Sequence, residues 1–199
     1  VREVTCRKDL MKFIRFPESL YKGCSQYVPP LHKGQEHELM HAASLKYCQR
    51  KMWLAEDESG KVVGRICAVI NPRYNEKYGT RRVRFGWFDL IDDVEVARVL
   101  FDAAESWAKE QGMEEIHGPL YYNTLGRQGM LVDGFDKLAP FSCLYNHPYY
   151  VDIMQELGFG KECDWIQYMM PADQGEDAKL KAISERLMQR YNLRVADFD

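Results

Sequence analysis

The clearest pattern in the chain lies between residues 51 and 119. "KMWLAED", "ESGK" and "VVGRICAVI" read as strand, tight turn and strand, and "RRVRFGWFDLI" is a further strand rich in aromatic and β-branched residues. "DDVEVARVLFDAAESWAKEQG" follows, with Ala97, Leu100, Phe101, Ala104, Trp107 and Ala108 on one apolar helical face and Gly112 at its stop. "EEIHGPL" is again strand-like. The periodicity predicts strands near 52–57, 62–70 and 82–91 that are antiparallel and sequential. A helix over 94–111 then crosses over to a strand near 114–119, parallel to 82–91.

The flanks are less regular. "REVTC" suggests a short first strand. Leu10, Phe13, Ile14 and Leu20 have helical spacing, with Pro17 expected to interrupt and Gly23 to end that helix. "YVPPL" is extended, because a residue before proline is pushed away from helix. "KGQEHELMHAASLKYC" reads as a second helix. Residues 121 to 138 are glycine-rich and irregular, longer than an ordinary connection, as functional loops often are. "APFSCLY" is strand-like, "HPYYVDIMQELG" is a helix with Pro148 near its start and Gly158 at its end, and "CDWIQYMMP" is a strand. After Pro171 a polar linker leads to a helix with Leu180, Ile183, Leu187 and Tyr191 on one face, then to "LRVADFD". The domain reading is therefore 1–171, with 172–199 as linker helix and strand. The closing stretch echoes the opening "VREVTC", as a second copy of the same unit would.

Composition narrows the function. With 199 residues, 46% of them hydrophobic, the chain can bury one good core. A net charge of −3 favours neither nucleic acid nor an anionic membrane, and no apolar run approaches a bilayer span. The six cysteines are far apart and form no C-x-x-C pair, which predicts free thiols and a cytoplasmic location. Arg81, Arg82 and Arg84 read as a solvated sheet edge.

His37-Glu38-Leu39-Met40-His41 has the His-Glu-x-x-His spacing, in which one helical turn presents two imidazoles to zinc and a carboxylate to a water. A zinc hydrolase needs a third ligand. No downstream histidine fits before His117, and Glu56 to Glu58 fall in a hairpin turn. The motif reads as a chance match, and no metal is expected.

The core segments carry a resemblance. "SGKVVGRICAVI", "LFDAAESWAKEQGMEEIHG" and "YYVDIMQELGF", in that order, resemble the GNAT acetyltransferase superfamily over roughly residues 3 to 170. Within it the chain is similar to a bacterial group carrying "YN-x-PYY" before the last helix, whose proteins continue into a second GNAT-like half. The resemblance implies a mixed, mostly antiparallel α/β fold with acetyl-CoA bound where two parallel strands splay apart. It implies direct transfer to an amine. The amine attacks the thioester, a base or water chain takes its proton, and an acid protonates the leaving thiolate.

Residue by residue, the resemblance places Leu90, Ile91, Val96, Ala97 and Arg98 around the cofactor. The family's R/Q-x-x-G-x-G/A phosphate loop finds Ala97 at its last position, but Glu95 replaces its central glycine and Asp92 its opening residue, with Asp93 alongside. Three carboxylates are a poor cradle for a pyrophosphate, and Asp92 with Glu95 has the spacing of a capping box. The family's tyrosine acid is Met154 here. Tyr149, Tyr150 and Asn146 are the substitutes within reach, although the helical spacing favours Tyr150 as core with Ile153, Met154 and Leu157. Asn123 and Arg127, with Gln128, are candidates to line an acceptor pocket. The expected partners are a small-molecule or peptide amine and a second GNAT-like half or another copy of the chain. Two functions follow: an N-acyltransferase, or a catalytically silent GNAT-like domain that supports a second half or binds another ligand.

Overall fold

The computed structural model describes residues 1–123, 125–139, 143–168 and 177–196. Two compact units divide the chain, Val1–Lys161 and Glu162–Asp199.

In the first unit five strands form one sheet in the order β1-β2-β3-β4-β5. They are β1 (Arg2–Glu3), β2 (Gln49–Glu56), β3 (Val62–Ile70), β4 (Arg82–Leu90) and β5 (Glu115–His117). The first four are antiparallel to their neighbours, and β5 runs parallel to β4, pairing Arg82–Arg84 with Glu115–His117. Both expectations for the central sheet hold. The crossover is α4 (Val94–Glu110), whose buried stripe is the six residues that the periodicity selects.

The two sheet faces have separate cores. Ile66, Ala68 and Ile70 of β3 point to the side covered by α4 and by α5 (Tyr149–Glu156). Cys67 and Val69 point to the side covered by α1 (Arg7–Leu20) and α2 (His32–His41). Gly64 is needed for the first packing. A Cβ there would lie 2.8 Å from Val96 Cγ1 and 2.9 Å from Leu100 Cδ1, closer than real Cβ contacts come.

Several elements depart from the sequence reading. Pro17 does not interrupt α1, which runs on to Leu20. A proline leaves the carbonyl four residues back without its helical donor, and that carbonyl, on Phe13, is taken by Arg65 Nη1 at 2.6 Å. The second helix is shorter than expected, giving way at Ala42 to a 3-10 turn over Ala43–Lys46. A helix unforeseen in the sequence, α3 (Pro72–Tyr78), starts on Asn71, whose side chain accepts from Tyr74 N–H, and ends on Gly79 in the left-handed conformation. Of the strand expected over 139–145, Cys143 makes a single bridge to Gln128, and residues 140–142 lie outside the described residues. Residues 163–168 and 193–196 are not strands, and the rest of those two expected strands lies outside the described residues.

In the second unit α6 (Ala178–Tyr191) is capped by Asp177, whose carboxylate accepts from Lys179 N–H, and stopped by Asn192 in the left-handed conformation. Among the described residues no helix is long and apolar enough to cross a membrane.

Candidate active site

The site begins with an irregularity in β4. Arg65 faces Asp89 and Cys67 faces Gly86, so Trp87 and Phe88 together stand opposite Ile66. One extra residue in a strand breaks the two-residue alternation. Trp87 accordingly turns to the α1 side, whereas Phe88 and Leu90 stay on the α4 side. The bulge holds Trp87 at φ 45°, in the left-handed region. A bulky side chain there costs on the order of 1–3 kcal/mol and persists only where its surroundings over-determine it. Trp87 is fixed by its neighbours. Its ring stacks on Tyr121 at 3.6 Å and 13°.

On the same face lies a buried ion pair. Arg65 donates through Nε and Nη2 to Asp89 Oδ2, each at 2.7 Å, and its guanidinium sits 4.9 Å from the Phe13 ring centroid. Asp89 Oδ1 accepts from the Tyr21 hydroxyl at 2.9 Å, and Tyr21 lies 3.0 Å from the Tyr150 hydroxyl. Because Tyr21's one proton is committed to Asp89, Tyr150 must be the donor to Tyr21. Tyr150 in turn accepts from Leu90 N–H at 3.1 Å. The result is a directed chain from Leu90 N–H through two phenols to a carboxylate, with each hydroxyl donating once and accepting once. Burial, reinforced by the Asp89 charge, holds both phenols well above the usual tyrosine range, so both stay protonated.

Leu90 lies on the edge of β4 that faces the opening beyond β5. Strand pairing with β5 ends at Arg84, and one further bond joins Leu120 N–H to Phe85 O at 2.7 Å. Ile91 N–H points the other way, to Val63 O on β3. The Leu90 groups therefore point into the splay, and both are occupied there. Tyr150 takes the N–H, and the Tyr149 hydroxyl donates to the carbonyl at 2.7 Å. Burial raises the Tyr149 phenol as well, with the Asp92 and Asp89 charges adding to it. Two adjacent tyrosines of α5 thus occupy the strand edge that an amide-bearing arm would need.

Beyond the splay lies the start of α4. Asp93 is the N-cap, accepting from Glu95 N–H at 2.9 Å, and this replaces the Asp92–Glu95 capping box expected from the spacing. The carboxylate of Glu95 turns instead to Arg98 at 3.2 Å, both exposed. Ala97 is fully buried, Val96 packs near Gly64, and Ile91 is half-exposed. The residues that should surround acetyl-CoA are therefore contiguous. Asp92, Asp93 and Glu95 bring three carboxylates to this helix start, where the family's pattern has its phosphate loop.

The remaining candidates have local duties. Asn146 is buried and holds the long loop, its Oδ1 accepting from Leu131 N–H and its Nδ2 donating to Leu131 O and His147 O. Asn123 accepts from Leu125 N–H and Gly126 N–H, making a tight turn. Arg127 lines a cavity beside the ion pair, together with Tyr27, Gln35, Trp87, Tyr121 and Tyr150. Arg84 corrects the reading of a solvated edge: it is buried, donates to Tyr121 O and Tyr122 O, and lies over Tyr74. Arg81 and Arg82 do pair at the surface, with Glu114 and Glu115.

His37 and His41 are exposed on α2 with ring centroids 5.7 Å apart. Among the described residues no group of three histidine, cysteine, aspartate or glutamate side chains is placed to hold a metal. Elemental analysis of the purified protein should find less than stoichiometric zinc. One zinc per chain, lost in His37→Ala and in His41→Ala, would contradict this.

This architecture is the GNAT acyltransferase fold. A solved structure of a predicted acetyltransferase with acetyl-CoA, from Clostridium acetobutylicum, matches 84% of this chain and 94% of its own at TM-score 0.50 and 14% identity. Among curated proteins the chain is 33% identical over 196 residues to Protein YghO of Escherichia coli K12, covering 98% of this chain and 49% of that protein. It is 29% identical over 188 residues to the bacterial ceramide synthase of Caulobacter vibrioides, covering 92% of this chain and 47% of that protein. The chain thus spans about half the length of the curated relatives it matches. No family model matches it.

Proposed function

We propose that this chain is one half of a bipartite N-acyltransferase, and that it serves the amine acceptor while the acyl-CoA is seated elsewhere. The observation that carries the reading is the occupied strand edge at Leu90, whose N–H and carbonyl are both bonded by α5 tyrosines. The capped, acidic start of α4 supports it independently. The curated relatives are about twice as long, which leaves room for a second half that supplies the acyl-CoA site. A ceramide is an amide of a long-chain amino alcohol, so the name of the Caulobacter relative makes an amino alcohol the acceptor class to consider here.

Under this reading, the chain's residues bind and orient rather than react. The Arg65–Asp89 pair and the two phenols fix the floor of the cavity, and the protonated Tyr150 keeps Leu90 N–H engaged. Incubating the chain alone with acetyl-CoA and an amino alcohol should release free thiol no faster than the buffer background. A sustained thiol release that Tyr150→Phe abolishes would make this chain the working enzyme instead.

A further inference from the structure

The cavity beside the ion pair has a volume of about 190 Å³, and most charged and polar groups in its lining are committed to one another. Arg65 and Asp89 hold each other. Tyr150 donates to Tyr21, Tyr145 donates to Phe135 O, and Asn146 bonds the backbone of Leu131 and His147. Arg127, Tyr27 and Tyr121 line the same cavity and differ from these. Among the described residues the Arg127 guanidinium has no ion pair or hydrogen bond, and neither phenol hydroxyl has a hydrogen-bond partner.

These three groups are held in place. The Tyr27 ring stacks on Tyr21 with centroids 4.3 Å apart, as Tyr121 does on Trp87. Arg127 is half-buried on a segment fixed by the Leu120–Gln128 bridge and by Gly129 N–H, which donates to Pro119 O at 2.9 Å. Its charge reaches both phenols, so the three polar ends converge. Burial outweighs that charge, pushing Tyr27 up to about 12 and Tyr121 further still, so both hydroxyls remain donors. Neither nearby carboxylate serves Arg127. Asp89 is engaged by Arg65 and Tyr21, and Glu38 of α2 makes no ion pair with Arg127. A cation partly withdrawn from water is normally paired. A guanidinium with neighbouring O–H donors matches a compact oxyanion, and Val28, Pro30, Met130 and Leu144 give its carbon chain an apolar wall.

We infer that this cavity binds the acid group of the acceptor, a carboxylate or a phosphate monoester, with Arg127 as its counter-ion and the Tyr27 and Tyr121 hydroxyls as further donors. This rests on the acceptor-side reading and narrows the acceptor to amines that also carry an acid. An amino acid carries one as it stands, and an amino alcohol only as its phosphate ester. A site built for hydrogen bonds rejects analogues that cannot make them.

The test is a calorimetric titration of the chain with hexanoate, hexyl phosphate, hexan-1-ol and hexylamine, probes that share one tail and differ in the head group. At least one acid should bind about tenfold more tightly than the alcohol and the amine, and the tighter acid names the anion. In Arg127→Gln its affinity should fall about tenfold, to that of hexan-1-ol, while hexan-1-ol itself is unaffected. Equal binding of all four probes, no binding of either acid, or tighter binding of hexylamine would overturn the inference. So would an acid affinity that survives Arg127→Gln, or a loss in that variant shared by hexan-1-ol. The probe series on the unaltered chain decides the matter even where the variant does not fold. Neither acyl-CoA nor thiol release enters the readout. Failure here removes only the acid group, whereas thiol release by the chain alone removes the acceptor-half reading.

Discussion

Replacing Arg65 with methionine should destabilise the first unit by about 3–5 kcal/mol, the cost of removing one partner from a buried ion pair. Two groups lose their donors at once. Asp89, 8% exposed, keeps a carboxylate with only Tyr21 left to it, and the Phe13 carbonyl that Pro17 leaves open regains no helical bond. Against a typical total stability of about 5–15 kcal/mol, such a loss moves a urea midpoint far enough to read directly. The double variant Arg65→Met/Asp89→Leu should be less destabilised than the single one, because no buried charge is left unpaired. A single-variant cost below about 1 kcal/mol, or costs that simply add in the double variant, would mean that the pair is not the support it is described as here.

Both members of that pair are visible in the sequence as lone charges in apolar strands, Arg65 in "VVGRICAVI" and Asp89 in "FGWFDLI". Buried charges are rarely left unpaired, so opposite signs in two neighbouring strands were a usable signal. The register that joins them was not readable, because it depends on the extra residue at Trp87. The middle of the sheet was legible for a plain reason. Strand alternation, tight turns and the stripe of α4 all agree there, whereas α2 and the 121–138 loop have no such agreement. Helix α3 could have been found from its local chemistry, an Asn-Pro start and a Gly stop. Pro17 misled because its consequence is tertiary: the open carbonyl finds a donor only once Arg65 of β3 reaches it on the sheet face that α1 covers. The phosphate-loop departure was legible residue by residue. The two α5 tyrosines on Leu90 were not, since that contact exists only when the helix lies across the splay.

The second large effect concerns the start of α4. Each unfavourable charge contact in a partly exposed site costs on the order of 1 kcal/mol, so Asp92, Asp93 and Glu95 together should weaken pyrophosphate binding by about ten- to a hundredfold or more. Changing Asp92→Arg and Glu95→Gly removes two of these charges and adds one of the opposite sign. The double variant should therefore bind acetyl-CoA at least about tenfold more tightly than the unaltered chain. Adding Tyr149→Phe frees the Leu90 carbonyl and should improve binding again, by less, since a net hydrogen bond is worth about 0.5–1.5 kcal/mol. If the double variant binds no better than the starting chain, the acidic helix start is not what keeps the cofactor out.

Calorimetric titration of the unaltered chain with acetyl-CoA tests the central claim most directly. An occupied strand edge and an acidic helix start predict a dissociation constant in the high micromolar range or weaker, by order of magnitude. A low-micromolar constant with one site per chain would contradict the account and make this half the acyl-CoA-binding enzyme.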